Sequence, residues 1–130
     1  MPATILIVED HDVVRKSLRE WLGAVFPSFD LVEAATGEEA VTLARERPLR
    51  AVVMDIGLPQ MSGIEATRRI KQAAPATEVV ILTIHEGAAY RADATAAGAS
   101  AYVPKRKMRA LLVPTLTALL RTQEESCAAA

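Results

Sequence analysis

This sequence of 130 residues has one cysteine, few aromatic residues and no large excess of either charge. Its single cysteine, Cys127, excludes an intramolecular disulfide, and a lone cysteine offers no metal-ligand spacing. The formal net charge is −1, so the chain lacks the basic footprint of an autonomous nucleic-acid-binding domain. Hydrophobic residues nevertheless make up 51% of the chain, which is enough to build the core of one domain.

Long hydrophobic runs are absent as well. The longest apolar runs, at 4–8 and 79–82, are far too short to span a bilayer. The N-terminus has no basic segment before its apolar run, and acidic residues follow that run directly, unlike a signal peptide. We therefore predict a cytoplasmic domain with no membrane partner.

Short apolar runs alternate with helical patterns five times along the chain. Proline or glycine ends most of the helical patterns, and Gly98 is the predicted stop of the fourth. Pro114 interrupts the last pattern, so we expect a kink there or a helix that starts near it. The predicted strands are 5–8, 29–33, 51–54, 79–82 and 101–103, and the predicted helices are 12–26, 37–47, 64–74, 87–97 and 108–121.

This alternation predicts an α/β fold, a single doubly wound (βα)₅ domain with a five-stranded parallel sheet. The strands at 5–8, 52–54 and 79–82 lack polar alternation, which is typical of strands covered by helices on both faces. We take the strand order 2-1-3-4-5 from the known flavodoxin-like fold, and the periodicity alone does not derive it. In the first helix, Val14, Leu18, Trp21, Leu22 and Val25 form one predicted inner face.

Three carboxylates follow the two strands that flank the reversal of strand order. Glu9 and Asp10 come after strand one, and Asp55 comes after strand three. Ligands of open parallel sheets bind at this edge, beyond the carboxyl ends of the strands. Clustered carboxylates repel one another unless a cation joins them, and Mg²⁺ prefers oxygen ligands. The sequence therefore predicts a Mg²⁺ site formed by Glu9, Asp10 and Asp55.

Two further polar residues end the neighbouring strands. Thr83 ends strand four, and Lys105 follows strand five. Each alone is an ordinary strand-end or surface residue, but together with the acids they indicate a phosphoryl site. In this hypothesis Asp55 is the nucleophile, and Lys105 and Thr83 bind the transferred oxygens.

Four separated motifs resemble the receiver domain of bacterial two-component response regulators, most closely of the NarL/FixJ type. They are Ile-Leu-Ile-Val-Glu-Asp-His-Asp at 5–12, Val-Val-Met-Asp-Ile-Gly-Leu-Pro-Gln-Met-Ser-Gly-Ile-Glu-Ala at 52–66, Leu-Thr at 82–83, and Ala-Tyr-Val-Pro-Lys at 101–105. The resemblance extends over 4–120. It implies a CheY-like receiver at 1–122, followed at 123–130 by a C-terminal tail or the start of a linker.

The resemblance also implies a function. The chain would be a signalling switch and not an enzyme: a histidine kinase phosphorylates Asp55, and Glu9 and Asp10 hold Mg²⁺. Thr83 and Tyr102 would form the switch pair, in which the hydroxyl moves toward the phosphoryl group and the ring turns inward. For Tyr102, the residues alone leave open a simple strand position with its hydroxyl at the surface.

One position departs from the family pattern. The family commonly has proline directly after the lysine, joined by a cis peptide bond. Here Arg106 follows Lys105, and Pro104 precedes it. A cis bond before a non-proline residue costs about 3–4 kcal/mol, so the sequence leaves the geometry of this loop open.

Other functions fit less well. A phosphohydrolase of the haloacid dehalogenase type needs a second acid two residues after the nucleophile, where Gly57 stands. An FMN-binding flavodoxin needs a hydroxyl- and glycine-rich loop after strand one, which is acidic here. The output stays open: a helix-turn-helix DNA-binding domain absent from this chain, with homodimerisation on phosphorylation, or a stand-alone receiver acting through protein contacts or in a phosphorelay. His11 is expected to cap the first helix, and His85 to lie on a surface loop.

Overall fold

Within the part of the chain that the structure describes, five parallel strands alternate with five α-helices. The computed structural model describes the backbone of residues 3–129 and the side chains of residues 3–121. The strands are β1 (Thr4–Val8), β2 (Asp30–Ala34), β3 (Ala51–Met54), β4 (Glu78–Thr83) and β5 (Ala101–Pro104). The helices are α1 (Asp12–Val25), α2 (Gly37–Glu46), α3 (Gly63–Ala73), α4 (Ala88–Ala97) and α5 (Met108–Ala129), the last preceded by a 3₁₀ turn at Lys105–Lys107.

The strands form one sheet in the order β2-β1-β3-β4-β5, with every neighbouring pair parallel. This confirms the predicted fold class and strand order. The register pairs Val8 of β1 with Met54 of β3, and Thr83 of β4 with Pro104 of β5. Consequently, the residues that follow these strands emerge side by side at one edge of the sheet.

The core has two parts, one on each face of the sheet. Alternate residues of β1 point to opposite sides, because the side-chain period of a strand is two. Leu6 and Val8 pack toward α2, α3 and α4, whereas Ile5 and Ile7 pack toward α1 and α5. All four are at most 1% exposed, and burying such a side chain contributes about 1.5–3 kcal/mol. Burial on both faces explains the unbroken apolar strands.

Local signals fix several helix ends. The side chain of Thr36 accepts the Glu39 N–H at the start of α2, and Ser62 accepts the Glu65 N–H at the start of α3. These caps satisfy donors that the first helical turn leaves unpaired. Gly98 ends α4 with a φ of 105°, in the left-handed region that glycine adopts without a steric cost, as predicted.

Two expectations about helices were wrong. Val25 was predicted on the inner face of α1, but it is 39% exposed, at the last residue of the helix. Of the two alternatives for Pro114, a helix start near it is wrong, because the last helix begins at Met108 and contains the proline; a kink at Pro114 stays a prediction. Pro114 and Ala110, whose carbonyl loses its helical partner, are both exposed, so water can solvate the unpaired group.

The last helix extends beyond its predicted end. The helix backbone continues to Ala129, whereas the pattern predicted an end near residue 121. The predicted tail or linker at 123–130, with Cys127, lies outside the residues whose side chains are described. No helix in the described part of the chain is long and apolar enough to cross a membrane.

Candidate functional site

Two buried carboxylates stand at the carboxyl edge of the sheet. Glu9 directly follows β1 and Asp55 directly follows β3, and they are 1% and 6% exposed. The N–H of Asp55 donates to the Val8 carbonyl at 3.1 Å, so sheet pairing continues to the start of the site. Backbone hydrogen bonding therefore brings together two acids that are 46 positions apart by number.

Lys105 joins these two carboxylates. Its Nζ lies 2.8 Å from Oε2 of Glu9 and 3.2 Å from Oδ2 of Asp55. Its side chain is 20% exposed, so the ion pairs are largely shielded from water. The backbone N–H of Gly57 donates to the other Asp55 oxygen, Oδ1, at 3.3 Å. The predicted acid–lysine arrangement is thus assembled in the structure.

The charges of this cluster shift two pKa values. Burial acts to raise the pKa of Asp55, but the charge and hydrogen bond of Lys105 and the Gly57 N–H outweigh it and hold that pKa below its usual range. Burial acts to lower the pKa of Lys105, but its bonds to Glu9 and Asp55 outweigh it and raise that pKa. Both groups are therefore charged at neutral pH, as a nucleophilic carboxylate requires.

Asp10 gives a direct test of whether these residues suit a cation. Its Oδ1 is buried and accepts no hydrogen bond from any residue that the structure describes, although Nδ1 of His11 lies 3.2 Å from it. Potential ligand atoms of Glu9, Asp10 and His11 lie within 4.8 Å of one another. A buried, unpaired carboxylate oxygen is costly unless a positive partner satisfies it. The carboxylate oxygens of Glu9 and Asp10 suit a hard divalent cation. The cluster holds His11 in place of the predicted Asp55, which lies at the same edge of the sheet.

His11 does not act as the expected side-chain cap. Its backbone stands at the N-cap of α1, but its side chain makes no cap hydrogen bond. Instead, Nδ1 lies 2.7 Å from Oε1 of Glu9, and this hydrogen bond is the main cause of the raised pKa of His11. Both oxygens of Glu9 consequently have cationic or polar partners.

Arg15 is a residue of the site that the sequence interpretation missed. Its Nη1 donates to the Glu9 backbone carbonyl at 2.8 Å, and its Nε donates to Glu33 of β2 at 3.1 Å. The guanidinium also pairs with Asp12 at 2.7 Å. These contacts fasten the loop of the acidic pair to the first helix and the edge strand. Helical periodicity gave no signal for this, because Arg15 does not lie on the apolar face.

The predicted switch residues meet at His85 in the loop that follows β4. Thr83 is fully buried, and its Oγ1 accepts the His85 N–H at 3.3 Å. Tyr102 donates its hydroxyl hydrogen bond to the His85 carbonyl. Burial raises the pKa of Tyr102, so the hydroxyl keeps its proton. Tyr102 is half-buried, and its hydroxyl is engaged with the loop backbone.

The loop after β5 has ordinary peptide geometry. Every peptide bond between the described residues is trans, including that between Lys105 and Arg106. Arg106 reaches across to Glu86 in the loop before α4: its Nε lies 2.9 and 3.0 Å from the two carboxylate oxygens. The sequence interpretation did not foresee this pair, since both residues lie in loops of unspecified geometry.

Acid should weaken the fold through Asp55. Because its pKa is lower in the folded state, the ionised carboxylate contributes stability above the unfolded pKa of about 4, and this contribution is lost as pH falls through the folded value. The free energy of unfolding of wild type minus that of Asp55→Asn should therefore decrease below about pH 4. Urea titrations in EDTA from pH 7 to pH 3 measure it; a difference that grows toward low pH would contradict the assigned direction.

Comparison with known proteins gives the family. The sequence profile described as the response regulator receiver domain matches residues 5–117. The transcriptional regulatory protein DegU of Brevibacillus brevis is 35% identical over 102 residues, which are 78% of this chain and 43% of DegU. The chain thus spans about half the length of the curated relatives that it matches. The relatives support the predicted NarL/FixJ type.

Solved structures agree with this result. A two-component response regulator of the LuxR family from Aurantimonas sp. SI85-9A1 is 41% identical, with a TM-score of 0.85 over 94% of this chain and 87% of that one. The BeF₃-activated DrrB receiver domain is 30% identical, with a TM-score of 0.81 over 93% and 99% of the two chains.

Membership settles several of the sequence predictions. The family comprises non-enzymatic phosphoacceptors that signal by phosphorylation, so the hydrolase alternative is excluded. Such domains bind a divalent cation at the phosphorylation site, and a two-component regulator implies a partner histidine kinase. This chain belongs to the response regulator receiver domain family.

Proposed function

We propose that Asp55 accepts a phosphoryl group from a histidine kinase, and that Glu9, Asp10 and Asp55 hold Mg²⁺ while it does so. One observation carries the proposal: the buried Asp55 carboxylate is bridged to Glu9 by Lys105 at 3.2 and 2.8 Å. The buried Asp10 oxygen beside it, which accepts no hydrogen bond from the described residues, supports the metal assignment. In this proposal the Asp55 carboxylate is the nucleophile.

The transfer follows from the state of Asp55. Its carboxylate is ionised, so an oxygen lone pair is available to form the new O–P bond. The N–P bond of the kinase phosphohistidine breaks, and its electron pair stays on the imidazole nitrogen. Mg²⁺, when bound, neutralises charge on the transferred oxygens. Lys105 exchanges its bond to Asp55 for one to the phosphoryl group, with its ammonium charge retained.

Thr83 and Tyr102 form the proposed switch pair. The Thr83 hydroxyl oxygen is buried in the strand that adjoins Asp55, and it accepts the His85 N–H, which leaves its proton available to a phosphoryl oxygen. Movement of this hydroxyl shifts the loop backbone that Tyr102 binds at His85. Phosphorylation thereby selects one loop conformation and alters the surface around Tyr102. The related DrrB receiver was solved in a BeF₃-activated form.

The proposed output is control of transcription through a helix-turn-helix domain outside this chain. The relatives that carry the name of transcriptional regulators are about twice as long as the matched segment, since 102 matched residues are 43% of DegU. Homodimerisation on phosphorylation and a cytoplasmic location, where a kinase has access to ATP, belong to the same proposal.

Intact-mass measurement with acetyl phosphate tests the phosphoryl transfer. Wild type incubated with Mg²⁺ should gain one phosphoryl group, and EDTA should prevent the gain. The adduct should be released by hydroxylamine, which cleaves acyl phosphates but leaves phosphoserine and phosphothreonine intact. An absent adduct, or one that resists hydroxylamine, would contradict the proposal.

A further inference from the structure

Two loops border the phosphoryl site on the β4–β5 side of the sheet. One runs from Thr83 to α4 and the other from Pro104 to α5, and the register pairs their starting residues, Thr83 with Pro104. The first loop begins at Thr83, whose hydroxyl is proposed to bind the phosphoryl group, and the second carries Lys105. The relative position of these loops therefore determines whether both groups reach the same phosphoryl oxygens.

Side chains of β5 and of the second loop bind the first loop at two successive residues. Tyr102 binds the His85 carbonyl, and the His85 N–H binds Thr83. At the next residue, Glu86, both carboxylate oxygens accept from the Arg106 Nε, at 2.9 and 3.0 Å, and Nη2 of Arg106 lies 2.9 Å from Oε1. Arg106 is the immediate neighbour of Lys105, and Glu86 is three residues from Thr83.

We propose that the Arg106–Glu86 ion pair is a positioning clamp that sets the separation of Lys105 and Thr83. The inference rests on the proposed phosphoryl site. A rigid guanidinium that meets both oxygens of one carboxylate fixes orientation as well as distance, which a lysine could not do. Arg106 lies in the 3₁₀ turn at Lys105–Lys107, so the side-chain pair ties this turn to the loop that carries Glu86.

The solvent exposure of the pair limits its strength. The side chains of Arg106 and Glu86 are 61% and 40% exposed, and exposed ion pairs contribute modestly and weaken in salt. We therefore expect Arg106→Ala to weaken binding of Mg²⁺-beryllofluoride, a phosphoryl analogue, by about two- to fivefold at low salt. Hydrogen exchange of the amides at 84–87 should quicken by a similar factor in the unliganded protein.

Two further variants distinguish a clamp from a general loss of charge or of stability. Arg109→Ala removes the same charge from an exposed position in the first turn of α5 and should leave affinity and exchange unchanged. The charge swap Glu86→Arg with Arg106→Glu should restore most of what either single change loses. The difference between Arg106→Ala and wild type should shrink at about 1 M salt, where the Debye length is about 3 Å.

Two measurements test the clamp. They are calorimetric titration of the full chain with Mg²⁺ and beryllofluoride, and hydrogen exchange followed by mass spectrometry. If wild type binds the analogue but Arg106→Ala matches Arg109→Ala in both measurements, the clamp is overturned and the phosphoryl site stands. A charge swap that restores nothing also overturns the clamp. If wild type binds no analogue, the phosphoryl site fails, and the clamp's role fails with it.

Discussion

Gly63→Ala should lower the free energy of unfolding by about 3 kcal/mol, at the upper end of the usual cost of overpacking. A Cβ on Gly63 would lie 1.9 Å from the Asp55 carbonyl oxygen and 2.9 Å from the Ile56 Cα. Both obstacles are backbone atoms of the segment that carries the phosphoacceptor, so a side-chain rotation cannot relieve them. The first turn of α3, where the Gly63 N–H binds the Ile56 carbonyl at 3.0 Å, would have to move.

Gly23→Ala is the matched control for this change. Gly23 lies within α1, and its added Cβ would meet nothing within 4 Å. Alanine is favoured over glycine inside a helix, so this variant should gain about 0.5–1 kcal/mol. Urea unfolding compares the two directly, and uptake of phosphate from acetyl phosphate should fall only in Gly63→Ala. Equal effects of the two substitutions would contradict the close approach of α3 to Asp55.

Lys105→Met should cost about 3 kcal/mol of stability in the absence of divalent cations, as expected when one partner of a buried ion pair is lost. Glu9 and Asp55, whose side chains are 2% and 8% exposed, would then face each other without the ammonium group between them. Phosphoryl uptake should also fall sharply, because the same lysine binds the transferred oxygens. Chemical denaturation in EDTA and acetyl phosphate labelling measure the two effects.

Lys107→Met controls for the loss of a positive charge. Lys107 is exposed at the end of the same 3₁₀ turn, so its replacement should change stability by less than about 0.5 kcal/mol. Added Mg²⁺ should recover part of the stability of Lys105→Met, because a ligand that binds only the folded state stabilises it. If Lys105→Met were as stable as Lys107→Met in EDTA, the bridging role of Lys105 would be refuted.

Much of the site could be predicted because it depends on strand order. Once β1 and β3 are neighbours, Glu9, Asp10 and Asp55 must emerge at one edge, and Thr83 and Lys105 follow from β4 and β5 in the same way. Apolar runs and helical periodicity are local signals, so the sequence sufficed for the succession of strands and helices along the chain, whereas the strand order within the sheet was taken from the known fold.

The missed contacts depend on geometry that a linear pattern does not contain. Arg15 reaches the Glu9 carbonyl through a long side chain whose direction is set by Glu33, 18 positions later. Arg106 and Glu86 belong to loops whose separation depends on the whole β4–β5 unit. His11 has the position of a cap, but the stronger attraction of the Glu9 carboxylate directs its side chain elsewhere.

The most direct test of the proposed phosphoryl transfer is the identity of the phosphorylated residue. Wild type, Asp55→Asn and Asp93→Asn would be incubated with Mg²⁺ and acetyl phosphate and compared by intact mass; Asp93 is an exposed aspartate of α4 that controls for loss of an acid. We expect one hydroxylamine-labile phosphoryl group on wild type and on Asp93→Asn, and none on Asp55→Asn. An equal adduct on Asp55→Asn would contradict the assignment of Asp55 as the phosphate acceptor.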